Sequence, residues 1–162
     1  MFIKKINNKN LKIGIIGLGY VGLPRAMQFC AKKFTVYGFD TDSDKINTLR
    51  SGKSYIINVK NSIIKKSIKN KIFIPTSNFS LIGNLDVILI CVPTPLDNRL
   101  NPNLKFINGT IKKIKKNLKK NQLICLESTS YPGTTFETIV SKLSNKFKIG
   151  KNFFVGYSPE RN

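Results

Sequence analysis

The sequence predicts an α/β fold, a doubly wound and mostly parallel sheet of about six strands. Three observations predict it. Short apolar runs alternate with amphipathic helical patterns along the whole length. Two of those runs, residues 86–92 and 122–126, are nearly continuous in apolar residues, as strands buried on both faces are. A glycine-rich turn, Gly17-Leu18-Gly19-Tyr20-Val21-Gly22, separates the first run from the first helical pattern. Helical connections of this kind join parallel neighbours.

The elements follow in order. Residues 1–10 form a polar leader to which no element is assigned. Residues 12–16 are the first strand and 21–33 the first helix, where Pro24 is tolerated in the opening turn. Residues 34–40 are the second strand, ending on Asp40. Asp42 or Ser43 caps a helix that runs to Arg50 and is stopped by Gly52. An extended link at 54–58 leads to a helix at 61–70, in which Ile63, Ile64 and Ile68 share a face. Residues 72–74 form a short strand before Pro75, 78–84 a turn or short helix, and 86–92 a buried strand. A proline-rich loop at 93–102 precedes an amphipathic helix at 104–118 carrying Ile107, Ile111, Ile114 and Leu118. A strand at 122–126, a loop at 127–133, a helix at 134–145 and a strand at 153–157 complete the pattern.

Length and composition bound the possibilities. At 162 residues and 41% hydrophobic content, one domain over residues 1–162 with its own core is expected. The apolar stretches are strand-length, and the leader lacks the apolar core of a signal peptide, so a cytoplasmic location and no membrane partner are expected. The chain has no histidine, which excludes His-based acid–base catalysis and His metal sites from this segment. Cys30, Cys91 and Cys125 match neither a disulfide framework nor a zinc motif, so they read as small buried residues and no metal site is expected. The formal charge is +20, but the lysines are spread over most helices, only four arginines are present, and exposed aromatics are not interleaved with them. The charge therefore reads as solvated helix faces rather than as a nucleic-acid surface.

The glycine turn carries the functional reading. Strand, glycine turn, helix, second strand and an acid at Asp40, 23 residues beyond Gly17, are the parts of a dinucleotide-binding fingerprint. Gly17 serves the tight turn, Gly19 the approach of a pyrophosphate, and Gly22 the packing of helix on strand. Free amides at the helix start would hold the phosphates. Asp40 would accept hydrogen bonds from the adenosine ribose and repel a 2′-phosphate, which selects NAD over NADP. Lys45 would contact the same ribose or adenine, or stand as an ordinary exposed helix lysine. In doubly wound sheets ligands bind at the carboxyl ends of the strands. Those ends place Pro93, Thr94, Glu127, Thr129 and Glu160 on one edge. Thr94 and Thr129 read first as loop caps and, as the alternative, as donors to the cofactor or a bound sugar, Glu127 as a structural strand-end acid, and Glu160 as a water-positioning base or a chance carboxylate.

Four segments taken together resemble a known family. They are residues 17–24, Cys91-Val92-Pro93-Thr94-Pro95-Leu96-Asp97, Glu127-Ser128-Thr129-Ser130-Tyr131-Pro132-Gly133-Thr134-Thr135 and Tyr157-Ser158-Pro159-Glu160-Arg161. In this order they are similar to the N-terminal NAD-binding domain of the UDP-glucose/GDP-mannose dehydrogenase family. The resemblance implies a Rossmann-like fold and two NAD-dependent oxidations of a sugar-nucleotide C6 alcohol to the acid. The loop wording is most similar to the branch acting on UDP-N-acetylglucosamine, with the UDP-N-acetylmannosamine and UDP-glucose branches open.

The resemblance also implies residue roles. Gly17, Leu18, Gly19, Tyr20, Val21, Gly22, Asp40, Lys45, Pro93 and Thr94 would bind NAD. Thr129 would stand near the nicotinamide and the reacting carbon, and Glu160 would serve substrate contact and thioester hydrolysis. Arg25 departs from the apolar residue usual at its place, so it would disturb the first helix or point to solvent. The family's nucleophilic cysteine, central helix and C-terminal domain have no counterpart in these 162 residues. This chain alone is therefore expected to bind NAD without turnover, and a homodimer is expected only of a longer form. A free-standing NAD-binding or regulatory module is the alternative.

Overall fold

The computed structural model describes residues 2–98, 100–145 and 147–159. Six strands form one sheet, β1 (Lys12–Ile16), β2 (Thr35–Phe39), β3 (Phe73–Thr76), β4 (Val87–Ile90), β5 (Gln122–Leu126) and β6 (Phe153–Tyr157), in the order β3-β2-β1-β4-β5-β6. Every pairing is parallel. The chain starts in the middle of the sheet, builds outward through β2 and β3, then returns to the other side of β1. The strand order therefore reverses between β1 and β4, which is where such sheets leave a crevice.

The register explains why the site residues gather on one edge. Ile16 pairs with Phe39 on one side and Ile90 on the other; Phe39 pairs with Thr76, Ile90 with Leu126, and Leu126 with Tyr157. The residues that follow these partners, Gly17, Asp40, Cys91, Glu127 and Ser158, form one row along the carboxyl ends.

Alternation along the strands feeds a core on each face of the sheet. Ile13, Ile15 and Val36 pack with Leu23, Ala26 and Met27 of α2 (Gly22–Ala31), Ile46 and Leu49 of α3 (Ser43–Arg50), and Ile64 of α4 (Asn61–Lys69). The opposite face joins Ile16, Ile88, Ile90, Ile124 and Leu126 with Ile107, Ile111 and Ile114 of α5 (Lys105–Asn117). Each fully buried side chain of this size contributes about 1.5–3 kcal/mol. Gly52 closes α3 with φ +78, as its capping role requires. Asp42 is the N-cap, accepting from the amides of Asp44 and Lys45.

Three expectations are corrected. The leader contains a helix, residues Phe2–Asn7 (α1), held by the Phe2–Phe154 edge-to-face contact and by a 2.5 Å ion pair from Lys5 to Asp86. Six residues do not sustain a helix alone, so tertiary contacts outweigh the local polar sequence. β3 continues through Pro75 to Thr76 rather than ending before it. It is an edge strand, where a missing amide costs no ladder bond. The helical stretch that begins at Thr134 includes a π-helical turn, Phe136–Val140, running into α6 (Ser141–Leu143). There the hydroxyls of Thr138 and Ser141 donate to the carbonyls of Thr134 and Glu137. These side chains compete for acceptors that an α-helical ladder would use. No helix among the described residues is long and apolar enough to cross a membrane.

Candidate functional site

A cavity of about 790 Å³ runs along the carboxyl row across the reversal in strand order. Its wall includes Gly17, Gly19, Tyr20, Val21, Asp40, Lys45, Pro93, Thr94 and Thr129. These nine site residues come from four separate segments. Leu18 and Gly22 do not line the cavity: Leu18 is fully buried in the core, and Gly22 lies under the turn. Glu160 lies outside the described residues.

The glycine turn is shaped by what each position faces. Gly17 has φ +91, and a Cβ there would meet the Cys91 carbonyl oxygen at 2.7 Å. A Cβ on Gly22 would stand 1.8 Å from the Gly17 carbonyl oxygen, an impossible contact. A Cβ on Gly19 would meet nothing within 4 Å. Gly19 therefore owes nothing to protein packing; its bare face opens on the cavity. Among the described residues, the amides of Gly19, Tyr20 and Val21 donate to no protein acceptor. Unpaired donors at a helix start, beside open space, fit a pyrophosphate.

Asp40 fixes the next part of the wall. Its Oδ2 accepts the Leu18 amide at 2.9 Å and its Oδ1 accepts the Asp42 amide at 3.1 Å. Each carboxylate oxygen keeps a second lone pair for a ligand hydroxyl. The Tyr55 hydroxyl donates to the Leu18 carbonyl at 2.7 Å, so the Leu18 peptide is held at both ends. Burial, then the charges of Asp40 and Asp42, raise the Tyr55 phenol well above its ordinary value, which keeps that donor protonated. Lys45 faces Asp42 at 3.9 Å and lines the cavity beside Asp40.

The other flank is zipped by side chains. The Glu127 amide donates to Ile90 O at 2.9 Å, which carries the β4–β5 pattern one step past the strands. Ser128 Oγ donates to Val92 O at 2.6 Å, and Thr94 Oγ1 donates to Thr129 O at 2.5 Å. Thr94 and Thr129 thus sit on adjoining loops joined by a hydrogen bond.

Two residues behave differently from their sequence reading. Arg25 neither disturbs α2 nor simply points to solvent: its Nε donates to Glu127 Oε2 at 3.2 Å. Glu127 is buried and lines the cavity rather than only ending a strand. Cys91 lies one residue beyond β4, and Cys125 is half-buried. Burial pushes Cys30 up to about 12, and burial together with Glu127 raises Cys91 and Cys125. Thiols held in this way are poor nucleophiles. Among the described residues no cluster of three His, Cys, Asp or Glu side chains could hold a metal.

Part of the wall was missed from sequence. Phe79, Phe106, Gly109, Thr110 and Lys113 also line the cavity, with Phe79 packed on Phe39 and Lys113 Nζ 4.4 Å over the Phe79 ring. The available signal was Gly109, a helix-interior glycine whose Cβ would meet nothing. Such a residue costs helix stability and invites a packing or ligand explanation.

The parallel sheet, its glycine turn, the acid after β2 and the crevice at the strand reversal define a Rossmann-like dinucleotide-binding domain. Residues 11–162 match the model of the UDP-glucose/GDP-mannose dehydrogenase family, NAD binding domain. The chain belongs to that family, and its cofactor is NAD.

Relatives agree. The chain is 38% identical over 155 residues to UDP-N-acetyl-D-glucosamine 6-dehydrogenase of Pseudomonas aeruginosa, covering 94% of this chain and 36% of the relative. It is 31% identical over 157 residues to UDP-N-acetyl-D-mannosamine dehydrogenase of Pyrococcus horikoshii, covering 93% and 36%. Among solved structures, GDP-mannose dehydrogenase from Pseudomonas aeruginosa superposes with a TM-score of 0.86 at 28% identity, over 92% of this chain and 36% of that one. The chain thus spans about a third of the length of these proteins.

Proposed function

We propose that the chain is the cofactor-binding part of a nucleotide-sugar 6-dehydrogenase that converts the C6 alcohol of a UDP-sugar to the uronic acid. NAD, when bound, accepts a hydride in each of the two oxidations. UDP-N-acetylglucosamine is the preferred sugar nucleotide in this reading, supported by the Pseudomonas aeruginosa relative; mannosamine-type relatives at 31–38% identity make UDP-N-acetylmannosamine the second substrate to assay. A cytoplasmic location, and a homodimer of a longer form, belong to the same proposal.

The observation that carries the reading is the single crevice joining the open face of Gly19, the Asp40 carboxylate and Thr129. The free amides of the glycine turn take the pyrophosphate. Asp40 and Lys45 take the adenosine ribose, and the Asp40 charge excludes a 2′-phosphate. Pro93 and Thr94 line the middle of the cofactor. Thr129, tied to Thr94, positions the nicotinamide half beside the reacting carbon, and Glu160 serves as the base that activates water. The raised thiols of Cys30, Cys91 and Cys125 do not supply the nucleophile that traps the aldehyde between the two oxidations. The chain alone is therefore a binder without turnover.

Calorimetric titration tests this reading. Saturable one-to-one binding of NAD is expected, and absence of NAD binding overturns it. NADH formation is followed in parallel with UDP-N-acetylglucosamine, UDP-N-acetylmannosamine and UDP-glucose in turn. None is expected from this chain alone; formation with any one of them contradicts the binder reading and identifies the sugar.

A further inference from the structure

Glu127, on the cavity wall just past β5, is paired with Arg25, which does not itself line the cavity, and neither residue is assigned to the pyrophosphate or the ribose. Arg25 stands in the first turn of α2, three residues after the glycine turn ends. Its Nε lies 3.2 Å from Glu127 Oε2, and the Cys91 thiol donates to that same oxygen at 3.7 Å. The Glu127 side chain is 8% exposed and that of Arg25 32%. The pair therefore straps the helix behind the glycine turn to the first residue past β5. Its charges act on their neighbours in opposite senses: Glu127 raises the thiols of Cys91 and Cys125, and Arg25 lowers them.

The row of strand ends gives the pair a place relative to the ligand. With the adenosine ribose at Asp40, after β2, and the pyrophosphate at the turn after β1, the rest of a dinucleotide extends toward β4 and β5. That direction leads to Cys91, Glu127, Ser128 and Thr129, all on the cavity wall. The nicotinamide ring is cationic when oxidised and neutral when reduced. A buried carboxylate without a partner would favour the cation strongly, because charges interact over longer range where water is excluded. A guanidinium bonded to that carboxylate cancels most of the preference.

We propose that Arg25 and Glu127 form a charge-balancing pair that sets the relative affinity for oxidised and reduced cofactor, with Arg25 as a specificity-determining residue for the redox state. This rests on the placement of NAD proposed above. The pair brings no net charge of its own to the reactive end of the cavity, so that the reduced product and the oxidised reactant compete on similar terms.

The experiment compares dissociation constants for NAD+ and NADH on the chain, Arg25→Met, Glu127→Gln and the double variant. Arg25→Met shifts the ratio toward the oxidised form by about tenfold. Glu127→Gln, which removes the carboxylate charge and keeps the guanidinium, shifts it about tenfold the other way. The double variant returns to within about twofold of the parent, because both charges are gone. Opposite shifts with restoration are a readout that simple loosening of the fold does not produce. If Arg25→Met does not fold, the Glu127→Gln shift and its restoration in the double variant carry the test. Parent and variants that bind both forms in one unchanged ratio, or single variants that shift it in the same direction, overturn the pair's role while leaving the cofactor reading intact. A parent chain that binds neither form overturns both.

Discussion

On the β1–β2 flank the crevice is shaped by the backbone of the glycine turn, whereas on the β4–β5 flank it is held by side-chain hydrogen bonds. The first flank offers the turn amides and a peptide at Leu18 held between Asp40 and Tyr55. The second offers Thr94, Ser128, Thr129 and Glu127, tied to one another and to Arg25. A backbone wall tolerates few residue types, because steric contact decides each position. A side-chain wall is set by polar pairing and admits many sequences that make equivalent bonds. The first flank is therefore constrained by steric contact at Gly17 and Gly22, and the second by the polar bonds its side chains make.

The contrast breaks hardest at Gly22. Gly22→Ala places a methyl 1.8 Å from the Gly17 carbonyl oxygen, and the chain should lose about 3 kcal/mol in urea unfolding, at the upper end of ordinary overpacking costs. A loss under about 1 kcal/mol would show that the turn yields. Asp40→Ala comes next. It removes the acceptor of the Leu18 and Asp42 amides and should cost about 1–3 kcal/mol, while bringing NAD and NADP affinities together. A preserved preference for NAD would place the selecting charge elsewhere.

Gly19→Ala separates binding from packing. Its Cβ meets no protein atom, so stability should stay within about 0.5 kcal/mol, while NAD affinity drops about tenfold or more as the methyl meets the pyrophosphate. Unchanged affinity would put the phosphates somewhere else.

The last test lies away from the crevice, in the core beneath α2, and reads out only at high pH. Burial pushes the Cys30 thiol up from an ordinary 9.0 to about 12 in the folded chain. Folding therefore binds its proton more tightly, and the stability this contributes is full below pH 9.0 and is lost as the pH climbs toward about 12. Cys30→Ala should flatten the fall in stability across that window. An identical slope in both proteins would contradict the burial effect.

The same contrast explains what was legible in the sequence. Alternating apolar runs placed all six strands, and β1, β5 and β6 matched to the residue, because buried parallel strands leave an unbroken apolar signal. The glycine turn was legible because spacing alone encodes its steric demands. The second flank was located through strand ends and motif wording, but its bonds were not. Nothing at Arg25 announces a partner 102 positions away, since an ion pair across the sheet depends on strand order. Phe79 and Lys113 escaped for the same reason: each reads locally as an ordinary surface residue and only the fold brings them together. The α1 helix escaped because its order comes from Phe154 and Asp86, not from its own sequence.

The most direct test of the central claim, that one crevice holds NAD from Asp40 to Thr129, is amide chemical-shift mapping of the isotope-labelled chain during NAD titration. The account predicts shifts at Gly19, Tyr20 and Val21, at the residues flanking Asp40, and at Thr94 and Thr129, saturating together with a single affinity. Shifts confined to the separate hollow at residues 54–61, or to the glycine turn with Thr94 and Thr129 unmoved, would contradict it.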